Sequence, residues 1–109
     1  MFGRKSSVTS ELINKVSLGG IYKRIPKKIR DGVSNVILTG AVNGTSSDFP
    51  VTIKSVSILA DFEDCPLYSY VTVNGHLEFP MYISSTGKNV KTKLEFVADE
   101  LIINSKGDK

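Results

Sequence analysis

From residue 35 onward the sequence consists of short runs rich in β-branched and aromatic residues, each bounded by turn-forming residues. The first run, residues 36–42, ends at Asn43-Gly44, a dipeptide typical of tight hairpin turns. No stretch has both the length and the 3.6-residue period of a long helix. Four further β segments are predicted, at residues 51–60, 67–73, 76–84 and 90–104. Five short β segments predict an all-β fold, either a small barrel or a short sandwich.

Residues 51–60 require an irregular strand. Their apolar positions change parity after Ile53, so that the later apolar residues fall on the other face. We interpret this segment as one strand with a β-bulge near Lys54 and Ser55, because an inserted residue exchanges the two faces.

The dipeptide Asn74-Gly75 predicts a hairpin between residues 67–73 and 76–84. A three-residue loop that pairs Thr72 with His76 separates the apolar from the polar side chains best. In this register the buried face carries Leu67, Val71, Leu77, Phe79, Met81 and Ile83. The exposed face carries Tyr68, Tyr70, Glu78, Pro80 and Tyr82.

Residues 1–34 are predicted to form a basic N-terminal segment that precedes a barrel domain of residues 35–109. Gly19-Gly20, Pro26 and Gly32 interrupt any long element, and residues 10–16 predict at most two helical turns. Residues 1–31 contain eight Lys and Arg against two acidic residues, a net charge of +6, and residues 32–109 contain six against nine, a net charge of −3. This asymmetry indicates either an anionic partner such as nucleic acid or a soluble, mobile terminus.

The composition excludes several protein classes. A chain of 109 residues that is 40% hydrophobic forms one domain, and its single cysteine, Cys65, rules out an intramolecular disulfide. No apolar run approaches the roughly 20 residues that a membrane helix needs, and none follows the basic start to form a signal peptide. We therefore expect a soluble, cytoplasmic protein without a membrane partner, a metal or a cofactor.

Catalytic motifs are absent from the sequence. Residues 84–88 superficially resemble a phosphate-binding loop, but Tyr82 stands where that loop requires its first glycine. Cys65 has no histidine near it in the sequence to activate it as a nucleophile. We predict that the protein is not an enzyme.

Residues 34–42 read SNVILTGAV, and residues 87–103 read GKNVKTKLEFVADELII. The first stretch resembles the opening strand of the single-stranded DNA-binding proteins of the OB fold, including the PriB type. The second resembles their closing strand, which follows a glycine-tipped hairpin. This resemblance implies a small five-stranded OB-like barrel behind the basic N-terminal segment.

The chain also departs from that family. It contains no Trp, and it ends in SKGDK where the bacterial proteins carry an acidic tail that recruits partners. The resemblance therefore implies a compact, divergent relative from a phage, a plasmid or another mobile element.

Binding of single strands without base readout requires aromatic faces for stacking and cations that follow the phosphates. The chain offers both in the basic segment, on the exposed face of the predicted hairpin and around the last strand. Alternatively, the tyrosines pack against the N-terminal segment or a sister subunit, and the lysines form a solvated face. We predict a nucleic-acid interface made of Tyr22, Lys23, Arg24, Lys27, Lys28, Arg30, Lys54, Tyr68, Tyr70, Tyr82, Lys88, Lys91 and Lys93.

The first functional hypothesis is a protein that binds single-stranded DNA, or alternatively RNA, with little sequence specificity. It would act in DNA replication, recombination or transfer, as a homo-oligomer of two or four subunits. The alternative is a non-enzymatic β-barrel interaction or assembly protein, such as a phage or plasmid accessory protein, that does not bind nucleic acid.

Overall fold

The computed structural model describes residues 13–79, 81–83, 87, 89–91 and 94–107. These residues form seven strands and one short helix. The elements are β1 (Val16–Arg30), β2 (Val33–Val42), β3 (Thr45–Ile53), α1 (Val56–Asp64), β4 (Tyr70–Glu78), β5 (Met81–Ile83), β6 (Asn89–Lys91) and β7 (Glu95–Ser105).

Five strands close into a barrel in the order β1-β2-β3-β7-β4, with β4 pairing back to β1. All neighbours are antiparallel except β3 and β7, which meet as a short parallel pair at Thr52 and Val97. The strands β5 and β6 form a separate two-stranded sheet. The predicted all-β, five-stranded barrel is therefore confirmed.

Residues 16–30 of the predicted N-terminal segment form a barrel strand, so the division predicted at residue 34 does not coincide with the barrel's edge. Strand β1 pairs with both β2 and β4. Its register against β2 shifts between Tyr22 and Arg24 and again between Arg24 and Lys27, and Pro26 lies in the second shift. A bulge accommodates a proline because the residue there need not donate to the ladder.

Two consequences follow for the N-terminal half. Val16 is the first residue of a strand, and residues 13–15 are not helical, while residues 10–12 of the predicted helical turns lie outside the described residues. The stretch that resembles an opening strand, residues 34–42, lies in the second barrel strand, β2, because β1 precedes it.

The turn predicted at Asn43-Gly44 is confirmed, with both φ values positive at 52° and 80°.

Residues 51–60 do not form one bulged strand. Strand β3 ends at Ile53, and α1 begins at Val56 after the N-cap residue Ser55, whose side chain accepts a hydrogen bond from the Ile58 amide at 3.4 Å. The change of parity marks the passage from a strand to a helix, in which Ile58 and Phe62 are one turn apart and both buried.

The hairpin predicted at Asn74-Gly75 is also wrong, because β4 runs through both residues without a turn. A Cβ on Gly75 would lie 2.0 Å from the carbonyl oxygen of Val97, so this glycine permits a close approach to β7. The predicted exposure of Tyr68 and Tyr70 is correct, and so is the burial of Val71.

Other parts of that predicted hairpin differ. Phe79, predicted to be buried, is exposed, because β4 ends at Glu78. Pro80 lies outside the described residues, and the placement of the side chains of Met81, Tyr82 and Ile83 is not described. The observed hairpin joins β5 to β6 with Gly87 between them, so the glycine-tipped hairpin implied by the family resemblance is confirmed.

The core lies inside the barrel and under α1. Tyr22 from β1 and Phe62 from α1 are fully buried, and their ring centroids are 5.5 Å apart in a tilted arrangement. The remaining core side chains are mostly branched aliphatic residues from all five barrel strands. Among the described residues, no helix has the length and apolar character needed to cross a membrane.

Candidate nucleic-acid interface

Four neighbouring strands bring one row of residues together on the outside of the barrel. Ile21 in β1 is paired with Tyr70 in β4 on one side and with Thr39 in β2 on the other. Thr39 is in turn paired with Asp48 in β3. We call the outer surface around the row Tyr70–Ile21–Thr39–Asp48 the front face.

Tyr70 supplies the aromatic surface of the front face. Its neighbour Val71 points into the core, so strand alternation directs Tyr70 outward, where it is 49% exposed. Its hydroxyl oxygen lies 3.5 Å from the position that a Cβ on Gly19 would occupy. Because glycine has no side chain, the Tyr70 hydroxyl can lie over β1 at this position.

A second tyrosine is held outward by an unusual backbone conformation. Tyr68 has a φ of 68°, in the left-handed region, and is 57% exposed. Its N–H donates to the Tyr22 carbonyl at 2.7 Å, and next to it the Ser69 hydroxyl donates to Pro66 and accepts from the Gly107 N–H. Such strain persists only where the surroundings enforce it, and it is concentrated at functional positions.

Tyr22 cannot stack on a base, contrary to the prediction. It is 0% exposed, and its hydroxyl donates to the Phe62 carbonyl at 2.9 Å. Burial raises the pKa of Tyr22 to about 12. The prediction failed because it treated residues 1–34 as lying outside the barrel, whereas Tyr22 faces the barrel's interior.

Three cations predicted from the sequence follow Ile21 along β1, where Arg24 pairs with Ile37 and Lys27 with Asn35. The Nζ atom of Lys23 is 2.9 Å from Asp48, and that hydrogen bond is the main cause of a lowered Asp48 pKa. Arg24 donates to the side chain of Asn35. Lys27 is exposed and makes no ion pair within the part of the chain that the structure describes.

The other described cations of the prediction are paired with carboxylates away from the row. Lys28 is 3.5 Å from Asp31, and Lys54 contacts Glu78. Arg30 forms a two-pronged contact of 2.9 and 3.0 Å with Glu95, and this hydrogen bonding raises its pKa. The structure therefore does not bring these three cations into the front face.

Four predicted residues cannot be assigned a contact. Tyr82 and Lys91 belong to β5 and β6, but the placement of their side chains is not described. Lys88 and Lys93 lie outside the described residues. Their part in an interface stays a prediction.

Sequence reasoning missed four residues of the front face: Gly19, Ile21, Thr39 and Asp48. The signal for Gly19 and Ile21 was the alternation along β1, in which Gly20 and Tyr22 lie on the buried face and Gly19 and Ile21 on the outer face. It was overlooked because a double glycine usually marks an interruption rather than a strand.

Another polar cluster lies on β4 and β7. His76 contacts Asp99 through Nδ1 at 2.7 Å and Glu78 through Nε2 at 2.6 Å. The two carboxylates raise the pKa of His76, with Asp99 the larger cause. No group of His, Cys, Asp or Glu among the described residues is arranged to hold a metal ion.

The fold is similar to that of known single-stranded DNA-binding proteins. The mitochondrial single-stranded DNA-binding protein Rim1 of S. cerevisiae superposes with a TM-score of 0.67 at 13% identity, over 89% of this chain and 100% of that one. A second Rim1 structure gives a TM-score of 0.63 at 15% identity over the same shares of the two chains. The Plasmodium falciparum SSB, in a complex with single-stranded DNA, gives a TM-score of 0.61 at 17% identity, over 87% of this chain and 97% of that one.

This chain has an OB-like fold. It consists of a closed five-stranded barrel with a helix between β3 and β4, and the superpositions cover 87–89% of the chain. No family model matches the sequence, and no curated protein matches it at a significant level.

Proposed function

We propose that the protein binds single-stranded DNA through the front face, with little sequence preference. The observation that carries the proposal is the half-exposed ring of Tyr70 opposite Ile21 of β1, the strand on which Lys23, Arg24 and Lys27 follow. Stacking on an aromatic ring and neutralisation of phosphates by nearby cations are the two contacts that such binding needs. The fold shared with the proteins described above supports this assignment.

The proposed activity is binding without catalysis. Cys65, the one thiol of the chain, is buried, and burial raises its pKa, so it is a poor nucleophile. We further propose a role in DNA replication, recombination or transfer in the cytoplasm, in the form of a homo-oligomer. Exposed apolar side chains outside the front face, such as Val56 and Leu94, offer surface for subunit contacts.

A titration of fluorescence anisotropy with a labelled oligo(dT) tests the proposal. Three front-face cations predict a slope of log K against log salt of about −2, at roughly 0.7 per neutralised phosphate. Stacking depends little on salt, so binding weakens at high salt without disappearing. A duplex of equal length binds more weakly, because its bases already stack on one another.

Charge reversal provides the control. Lys27→Glu weakens binding and flattens the slope, while Lys15→Glu, the same charge change before the first residue of β1, has the smaller effect. Equal binding of single strands and duplex would reduce the interaction to nonspecific attraction. No binding at low salt would refute the proposal and favour an assembly protein whose exposed apolar side chains form subunit contacts.

A further inference from the structure

Strands β1 and β2 separate above the front face. Their last pair is Ile21 with Thr39, and continuing the ladder would place Gly19 opposite Ala41, but no such pair forms. Beyond this point, among the residues that the structure describes, β1 pairs only with β4, and β2 pairs only with β3. The two strands therefore enclose an open cleft.

The walls of this cleft are mainly apolar, and it is the size of one aromatic ring. Its volume is about 150 Å³. A cavity of roughly that volume is known to accommodate benzene. No charged side chain lines it, and its walls include Leu18, Gly19, Gly40, Ala41, Val42 and Phe49.

Backbone polar groups point into the cleft from both strands. The Tyr22 N–H donates to the Ser69 carbonyl, and the Tyr22 carbonyl accepts from the Tyr68 N–H, so both groups of Tyr22 face the β4 side. Because the backbone groups of successive residues in a strand point to opposite sides, the N–H and carbonyl of Gly19 face β2. On β2, the Thr39 carbonyl oxygen lies 2.9 Å from the Cβ position of Gly20 and therefore faces β1. The same alternation directs the groups of Ala41 into the cleft, where no strand of the described part of the chain pairs with them.

The cleft is continuous with the front face. Gly19 and Thr39 both line it. Gly19 also lies beneath the Tyr70 hydroxyl, and Thr39 is also the partner of Ile21 in the front-face row. A ligand with flat apolar faces and a hydrogen-bonding edge fits this cleft. Its faces would contact the apolar walls, and its edge would meet the backbone groups of Gly19 and Ala41, which have no ladder partner among the described residues. A nucleobase has this combination, and the ring size corresponds to a pyrimidine.

We propose that the cleft between β1 and β2 binds one pyrimidine base of the bound single strand. The proposal rests on the function proposed above and adds a defined base site to it. The base inserts between Leu18 and Phe49, while the neighbouring phosphates remain near Lys23 on the front face. The site predicts a modest preference for oligo(dT) over oligo(dA).

Gly40→Leu tests the site by filling it. A Cβ on Gly40 would meet no atom within 4 Å, and its φ is not in the left-handed region, so the backbone accepts a larger residue. The matched control, Ala60→Leu, adds the same side chain at an exposed position of α1. Affinities are measured for oligo(dT), for oligo(dA) and for an abasic oligonucleotide of equal length, with circular dichroism and thermal melting as checks of folding.

We expect Gly40→Leu to bind oligo(dT) about tenfold more weakly, within the range for the loss of one stacked base. Its affinity for the abasic oligonucleotide stays unchanged, its preference for oligo(dT) disappears, and Ala60→Leu behaves as the wild type. Unchanged oligo(dT) affinity, or an equal loss for the abasic oligonucleotide, would overturn the base site. If the wild-type protein bound none of the three, the proposed function itself would fail.

A measurement without a variant covers the case in which Gly40→Leu does not fold. Amide resonances of Gly19 and Ala41 are followed by NMR as oligo(dT) or the abasic oligonucleotide is added to the wild-type protein. Large shifts with oligo(dT) alone support the base site. Equal shifts with both, or none with oligo(dT) while front-face amides respond, would overturn it.

Discussion

The buried hydroxyl group of Tyr22 donates a hydrogen bond of 2.9 Å to the backbone carbonyl of Phe62. This bond joins the first barrel strand to the helix, and the two rings pack against each other beside it. Tyr22 therefore stabilises the fold and does not contribute to binding.

Tyr22→Phe removes the hydroxyl and keeps the ring. We expect the free energy of unfolding to fall by about 0.5–1.5 kcal/mol, the usual range for one hydrogen bond, because the Phe62 carbonyl still accepts from the Cys65 N–H, and we expect no change in DNA affinity. Denaturant unfolding measures the first quantity and anisotropy the second. Tyr68→Phe, at an exposed position, serves as the control and should change stability by less than about 0.5 kcal/mol. A loss of DNA affinity in Tyr22→Phe at unchanged stability would place Tyr22 in the interface after all.

Deleting residues 1–30 should unfold the protein, because it removes β1 from a closed barrel and exposes edges of β2 and β4. Far-UV circular dichroism and thermal melting report the result. A truncated chain that melts cooperatively with a native-like β spectrum would show that residues 31–109 fold alone.

Tyr70→Ala should weaken binding of single-stranded DNA by about 1–3 kcal/mol, the range for one stacked base. Because the ring is half-exposed, the free energy of unfolding should change little. Tyr70→Phe keeps the stacking surface and should bind almost normally. Equal losses of affinity in both variants would assign the effect to the hydroxyl rather than to stacking.

Asp48→Asn should strengthen binding of single-stranded DNA. In the free protein Asp48 holds Lys23 at 2.9 Å, so the carboxylate competes with a phosphate for this cation. Because Lys23 contacts a phosphate in both proteins, the salt slope should stay near about −2 while the affinity rises. Asp61→Asn makes the same charge change on α1, and an equal gain in that variant would attribute the effect to net charge alone.

The stability of the protein should fall as the pH rises through the raised pKa of His76. Asp99 and Glu78 favour the protonated ring, and Lys54 faces the same Glu78. Because the pKa in the folded state is above its ordinary value of 6.5, the stabilisation is complete below that value and is lost as the pH passes the raised one. Thermal melting of the wild type and of His76→Gln across this interval measures the effect. An identical pH profile in the variant would exclude His76 as its source.

Local patterns in the sequence determined the all-β character of the chain, the Asn43-Gly44 turn and the outward position of Tyr70. Each depends on a few neighbouring residues: β-branched runs, a dipeptide that accepts two positive φ values, and alternation relative to Val71. The glycine-tipped hairpin also needed only local information, but the single strand predicted at residues 90–104 is divided between β6 and β7, which lie in different sheets.

The tertiary structure alone decided what the glycines do and which cations are available. Gly20 and Gly75 look like interruptions in the sequence, yet they lie within strands because the backbone of a neighbouring strand passes close to each. Tyr22 bonds to Phe62 in the core, and Lys23 pairs with Asp48, and each of these partners is more than 20 positions away in the chain. Such contacts depend on which distant strands meet, and propensity and periodicity within one segment carry no information about them.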